Sequence, residues 1–577
     1  VATIAAAEAS AAPPERRTAD ALRIPAVEET LRFLESQSFL DRLWTKDATL
    51  WTGDPDGIRN RLGWLTAPTL MRAPTVELKA FADEVRRLQF AQIVVLGMGG
   101  ASLAAELWSL TFGSKLGFPD LVLLDSTDPA AVKHTLERIN LGRTLFLVSS
   151  KSGTTAETLA LYAFFRQKVE ALAPPKPGMQ FVAITDAGTP LDVMARETGF
   201  RHTFLNPASI GGRYSALSFF GLVPAALIGV DIKSLLARAR AMVEQCGNTV
   251  ATPESPAVRL GATLAVLARA GRDKVTFVLS DKIRALGPWL EQLLAESLGK
   301  DGKGLVPVVD ETPGSPTVYG DDRLFVALTL AGDRSRDAAL AALADAGHPV
   351  IRLELGDALD VGAEVFRWEL ATATAGAILG VNPFDEPDVA RAKEATASLL
   401  AERKKTRRLP EWPADAEEDG IVLITGASGP KPASVAEGVA AHLGQVRPGD
   451  YLAIQAYLEP SSEISSRLGV IRGLLRDRLR IATTLAFGPR YLHSTGQLHK
   501  GGPPTGLFIQ ITGEDTDEVG IPGADYDFSA LTAAQALGDL QALSGNGRRV
   551  IRLHLLGKPA QASERLLQLV RTATRRL

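Results

Sequence analysis

The sequence predicts an α/β protein: two doubly wound parallel sheets followed by an additional C-terminal α/β region. Three observations carry this. Short apolar runs suited to buried strands recur along the chain, each followed by a helical pattern, and such alternation implies right-handed crossovers and parallel sheets. The turns after the early strands are rich in glycine, serine and threonine. The length, 577 residues, exceeds what one hydrophobic core can serve. The organisation read from these signals is a linker and helical cap over 1–88, a first sheet domain over 89–260, a second over 261–409 and the C-terminal region over 410–577.

Composition narrows the function. Hydrophobic residues at 46% and charged residues at 22% are globular values. Lys plus Arg, 63, nearly balance Asp plus Glu, 66, so no basic field points to nucleic acid or an anionic membrane, and any anion must be held by a local site. A lone cysteine, Cys246, excludes an internal disulfide framework and a thiolate metal cluster and suits a reducing cytoplasm. The apolar stretch from Gly221 to Val230 is short and carries Pro224, and no uninterrupted run reaches membrane length. The start, VATIAAAEASAAPPERR, lacks the basic beginning and apolar centre of a secretory signal and reads as an Ala/Pro linker.

In chain order, residues 20 to 88 read mostly as helices, with ETLRFLESQSFLDRLW the clearest amphipathic run. QIVVL (92–96) then leads into GMGGASLAAELW, a glycine turn opening a helix. LVLLD (121–125), LFLVS (145–149), QFVAIT (180–185) and HTFL (202–205) complete a first set of strands. A second set begins with VTFVLS from Val275 and continues with RLFVALTL (323–330) and VIRLEL (350–355). The charged stretches ERKKTRR (402–408) and EWPADAEEDG read as a connector. IVLITG, YLAIQAYL, RIATTLAFG, LFIQIT and VIRLHLL then supply a third set.

The stretch LFLVSSKSGTTAE concentrates oxyanion-binding groups. A strand's carboxyl end meets a helix N-terminus, where free N–H groups and the positive end of the macrodipole favour a phosphate, and hydroxyl side chains extend the cradle. Ser150, Lys151, Ser152 and Thr155 are its candidate ligands. On this stretch alone a Ser/Thr-capped turn is an equally good reading. The glycine turn lacks the full dinucleotide spacing and suits close backbone approach to a small phosphorylated ligand, with Gly100 as the candidate, while Asp125 keeps a nucleotide reading open. Parallel sheets bind ligands beyond their strand carboxyl ends, so both loops share one crevice.

Three further segments carry candidate chemistry. IGGRYSALSFF places Arg213, beside Gly212, at the start of a buried helix, where it could stabilise an oxyanion or simply cap carbonyls. In GPWLEQLLAESLGK, Gln292, Glu296 and Lys300 lie four apart on one face; the bland account is a solvated charge ladder. PRYLHSTGQLHKGGPPTG holds His493 and His499 in a loop, acid or base candidates that could equally be idle turn residues.

Together SSKSGTTAET, GGRYSALS, EQLLAESLGK and NPFDEPDVARAK resemble the phosphate loop, arginine turn, catalytic-glutamate helix and C-terminal lysine helix of the glucose-6-phosphate isomerase (phosphoglucose isomerase) family, in that order across roughly residues 90–400. YLHSTGQLHKGGP and the whole arrangement look most like the isomerase portion of fused transaldolase/glucose-6-phosphate isomerases, which implies an upstream transaldolase. The resemblance implies sugar isomerase (SIS) domains and a cytoplasmic enzyme that interconverts glucose 6-phosphate and fructose 6-phosphate, without metal or redox cofactor and as a homodimer. It assigns the phosphate seat to Ser150, Lys151, Ser152 and Thr155, the base to Glu296, the oxyanion partner to Arg213 with Gly212, a substrate contact to Gln292, and ring opening to Lys393 and His493. The chain departs from the family in three ways: Ala101 stands where serine is usual, Glu386 where glutamine is usual, and His493 follows Lys393 instead of preceding it. A non-catalytic sugar-phosphate sensor and an isomerase that also takes mannose phosphates are the competing readings.

Overall fold

Apolar runs become strands, and strand order decides where a ligand can sit. The computed structural model describes residues 23–410, 412–426, 431–514 and 518–577; the Ala/Pro-rich start lies outside the described residues. The first sheet holds β1 (Gln92–Gly97), β2 (Asp120–Leu124), β3 (Thr144–Ser149), β4 (Phe181–Asp186) and β5 (His202–Asn206). All are parallel, in the order β2-β1-β3-β4-β5. The chain pairs β2 on one side of β1 and then crosses to place β3 on the other, so the crevice between the carboxyl ends of β1 and β3 is a topological switch point. The glycine turn follows β1 and SSKSGTT follows β3, and both loops open there.

The second sheet, β7-β6-β8-β9, contains β6 (Lys274–Leu279), β7 (Val306–Val308), β8 (Arg323–Leu330) and β9 (Val350–Leu355), again parallel. The sequence pattern misses β7, which has three residues with Pro307 in the middle; an edge position tolerates the lost N–H. The third sheet runs β10-β11-β15-β14-β12-β13. Its β12 (Tyr451–Tyr457), β13 (Ala482–Phe487), β14 (Gly506–Gly513) and β15 (Arg549–Leu555) are parallel, whereas β11 (Ile421–Ile424) runs antiparallel to β15 and β10 (Ala416–Glu418) to β11. The parallel part repeats the order of the second sheet, with the first strand inside and the second at the edge.

Three local expectations need correction. The amphipathic run near the start is two helices, Pro25–Ser36 and Phe39–Trp44, broken where Ser38 adopts a left-handed conformation. ERKKTRR is not a connector: ERKKT ends the helix Pro387–Thr406, whose Leu399 packs with Ala534 and Leu537 and leaves the charges outside, while β10 lies in the following charged stretch. The helix carrying Glu296 ends at Leu298, so Lys300 lies beyond it.

The cap helices share one apolar core with the first two sheets: Val27, Leu31 and Phe81 belong with Leu147, Val182, Val275 and Trp368. The helix Pro256–Arg269 spans the position where the first two units meet in sequence and packs into the same core. The C-terminal unit has its own core around Leu423, Ile454, Ile511 and Leu553. It meets the second unit where Val306 and Val308 pack with Tyr451, Leu498 and Phe508. Among the described residues no helix is long and apolar enough to cross a membrane.

Candidate active site

The loop after β3 leaves its following helix uncapped. Thr155 is the N-cap of Ala156–Ala171, yet its hydroxyl makes no capping bond to the helix and pairs instead with the Ser150 hydroxyl at 2.9 Å. The first-turn N–H groups therefore carry no side-chain cap, which favours the anion reading over the plain capped turn. Ser152 is exposed and pairs with the Thr154 hydroxyl at 2.9 Å. Lys151 folds back: its ammonium pairs with Asp186 and donates to the Ala208 carbonyl at 2.9 Å. It lines a small cleft together with Arg61, Gly212, Arg213 and Glu386.

Close backbone packing brings the arginine turn to the glycine turn. A Cβ placed on Gly100 would lie 1.9 Å from the Gly212 carbonyl oxygen, an approach only glycine permits. Gly99, at φ +57°, would bring a Cβ within 3.1 Å of the His493 Cβ. Because the obstacle at Gly100 is backbone, Gly100→Ala is expected to cost about 1–3 kcal/mol or more, read as a lower urea midpoint, and to lower activity as the turn shifts. An unchanged midpoint would contradict that tight approach.

Arg213 is 4% exposed, and its guanidinium has two sides. Nη2 donates to the Pro383 and Asp385 carbonyls at 2.9 and 2.8 Å, and Nε donates to Ser297 Oγ at 2.8 Å. Nη1 faces two carboxylates, Glu386 at 3.0 Å and Glu296 at 3.5 Å. Arg213 therefore caps carbonyls, as one reading of the sequence expects, and also turns its charge toward two carboxylates. Burial pushes the Glu296 carboxyl above its ordinary range against the pull of Arg213, and the Glu386 charge adds to the rise. Burial also opposes the Glu386 charge, but Arg213 outweighs it and holds that carboxyl below the ordinary value.

The face carrying Gln292, Glu296 and Lys300 is not a solvated ladder. Gln292 and Lys300 are buried, and Lys300 reaches the Asp385 carboxylate at 2.7 Å. Burial, aided by the nearby Arg213 charge, lowers the Lys300 pKa to about 8. Gln292 Nε2 donates to Glu296 Oε2 at 3.0 Å and to the His493 carbonyl at 2.8 Å. Its Oε1 is buried without a partner among the described residues.

The tail folds back to the crevice, so sequence order does not keep His493 from it. His493 ends a 3-10 turn, Arg490–His493, that follows β13. Its Nε2–H donates to Glu157 Oε1 at 3.0 Å. Gln535, from the helix Phe528–Gly545, also donates to Glu157 Oε1, at 2.7 Å, and accepts the Thr127 hydroxyl at 2.8 Å. Burial works against the Glu157 charge, but His493 beside it keeps the carboxyl below its ordinary range. The contact with the Glu157 carboxylate places a proton on His493 Nε2. Lys393 is exposed on its helix, and its charge is felt at both Glu157 and Glu386. His499, in contrast, is a core residue stacked on Tyr451.

Sequence reasoning missed Arg61, Glu157 and Gln535. Glu157 follows the phosphate stretch directly, where an acidic first-turn residue reads as ordinary dipole compensation. Arg61 and Gln535 lie in stretches without a motif. Asp125, which kept the nucleotide reading open, is buried 3.3 Å from Arg490. Among the described residues no group of three His, Cys, Asp or Glu side chains converges as metal ligands would.

The family model described as phosphoglucose isomerase matches residues 82–322, which include the phosphate loop, Arg213 and Glu296 but not Lys393 or His493. A glucose-6-phosphate isomerase of Rubrobacter xylanophilus is 33% identical over 387 residues, 58% of this chain and 89% of the relative. The chain belongs to the phosphoglucose isomerase family. A Haloquadratum walsbyi member, named "Probable glucose-6-phosphate isomerase", is 30% identical over 412 residues, 64% of this chain and 93% of the relative. The solved glucose-6-phosphate isomerase of Chlamydia trachomatis, 20% identical, superposes with a TM-score of 0.52 over 65% of this chain and 86% of its own, and shows the shared fold.

Proposed function

We infer that this chain is an aldose–ketose isomerase that interconverts glucose 6-phosphate and fructose 6-phosphate through an enediol, a step shared by glycolysis and gluconeogenesis. The observation that carries the reading is a largely buried carboxyl of raised pKa, Glu296, set 3.5 Å from the Arg213 guanidinium at the crevice of an SIS-type fold. Isomerisation needs a base near two adjacent carbons, a positive group for the oxyanion and a remote anchor. In this reading the uncapped helix behind SSKSGTT, with Ser150, Ser152 and Thr155, seats the phosphate, and Lys151 adds charge at its edge.

His493, with Lys393 assisting, moves a proton between the anomeric hydroxyl and the ring oxygen to open the sugar. Glu296 then removes the proton from C2 of the aldose and returns it to C1, while the hydroxyl proton passes from the C2 oxygen to the C1 oxygen. Arg213 balances the enediolate charge. Gln292 holds the base and, through its free Oε1, a sugar hydroxyl. A phosphorylated metabolite and one buried cysteine, Cys246, suit the cytoplasm.

The sensor reading is not favoured, because a binding module has no use for a base paired with an oxyanion partner. The test is direct. Offered fructose 6-phosphate, the purified chain is expected to form glucose 6-phosphate in a dehydrogenase-coupled assay and to leave unphosphorylated fructose essentially unchanged. Binding of fructose 6-phosphate without turnover would replace the isomerase by the sensor.

A further inference from the structure

His493 arrives from a unit with its own core, so something must fix that unit against the first sheet. Within the C-terminal unit the turn is tied by Tyr491, whose hydroxyl donates to Asp539 Oδ2 at 2.6 Å. That bond sets the turn against its own helix, Phe528–Gly545, and says nothing about the crevice. Arg490 makes the crossing. Its Nη1 meets Glu106 Oε1 at 3.1 Å, its Nη2 pairs with Glu106 Oε2, and Nη1 also lies 3.3 Å from Asp125 Oδ2. A two-pronged guanidinium–carboxylate pair fixes orientation as well as distance.

The partners of Arg490 belong to the first sheet unit. Glu106 lies on Gly100–Phe112, the helix opened by the glycine turn, and Asp125 directly follows β2. Arg490 and His493 are three apart in a 3-10 turn, where such side chains eclipse and point the same way. Where the guanidinium is held, the imidazole is aimed. The His493 carbonyl on Gln292 and the imidazole on Glu157 lie within the crevice itself, so the Arg490 fork is an anchor outside the reacting groups.

We propose that Arg490 is a positioning residue that clamps the turn of the C-terminal unit onto Glu106 and Asp125 and thereby sets the His493 imidazole for ring opening. This rests on the isomerase reading and on the ring-opening role given there to His493. The clamp serves chiefly ring opening, because Arg213 and the phosphate loop are held by other elements and Glu296 meets the turn only through Gln292 and the His493 carbonyl. It therefore predicts a split between substrates.

5-Deoxyfructose 6-phosphate lacks the hydroxyl that closes the ring and enters the site already open. Arg490→Met is expected to lower kcat/KM for fructose 6-phosphate about 10²-fold relative to wild type, as misplacement of a catalytic group by an ångström does. On 5-deoxyfructose 6-phosphate the same variant should stay within about 3-fold of wild type, and His493→Ala should show the same split. Should Arg490→Met fail to fold by circular dichroism, Arg490→Lys, which keeps the charge and loses the fork, and Glu106→Gln decide, each with a smaller loss confined to the ring-closed substrate. Equal losses on both substrates, or none on either, would overturn the clamp. A wild-type chain inert on both would overturn the isomerase reading, and a split in His493→Ala without one in the Arg490 and Glu106 variants would remove the clamp while leaving His493 its role.

Discussion

Glu296→Gln is expected to lower kcat for fructose 6-phosphate by about 10²–10⁴-fold, the usual range for loss of a general base. The amide preserves volume and can still meet the Gln292 side chain after a flip, so fold and ligand binding should survive. A phosphorylated sugar acid should bind within a few-fold of wild type by calorimetry. The wild-type pH profile follows from the same carboxyl. Burial holds Glu296 above its ordinary 4.5, and only the ionised form accepts a proton, so log kcat/KM should fall with unit slope as pH drops through a value above that reference. The acid limb should disappear from the residual activity of the variant. Turnover close to wild type would end the assignment of Glu296 as the base.

Arg213→Met should cost kcat/KM about 10²–10³-fold through loss of oxyanion stabilisation. Stability should fall as well, by about 3 kcal/mol, the low end for a broken buried pair, since the largely buried Glu296 loses its counter-charge while the half-exposed Glu386 can turn to water. The sign of the pH effect is fixed by the geometry. Arg213 lowers the Glu296 pKa, so its removal lets burial and Glu386 raise that pKa further, and the acid limb must move to higher pH. Arg213→Lys separates charge from shape: it keeps a cation but gives up the bonds to Pro383, Asp385 and Ser297. An acid limb unmoved in Arg213→Met would show that the guanidinium does not act on the base.

Most of the sheet architecture was legible because a buried parallel strand writes itself as an apolar run, and β3 is buried at every residue from Thr144 to Ser149. What escaped were elements whose identity comes from tertiary contact: β7, three residues around a proline, and the end of the lysine helix, where packing of Leu399 on another helix overrides a charged surface run. The site divides along the same line. Residues on one loop or one helix face, such as Ser150 with Thr155 or Gln292 with Glu296, are visible from spacing. Glu157 and Gln535 meet only because distant segments fold together, and no local spacing encodes that meeting. The ambiguity at Arg213 was genuine, since the guanidinium caps carbonyls on one side and faces carboxylates on the other.

The first and C-terminal sheets reach the crevice from strand carboxyl ends, through the turns after β1 and β3 and the turn after β13, whereas the second unit reaches it through the last turn of the helix Leu286–Leu298, which returns toward its strands' amino ends. Each unit thus contributes at one rim only, and its opposite rim is released from chemistry. Substitutions there should act on folding alone, whereas a change of even one residue in length at the crevice rim alters how the surfaces of three units fit. The site consequently leaves wide latitude over most of each unit and rests on a few short loops whose lengths are set jointly.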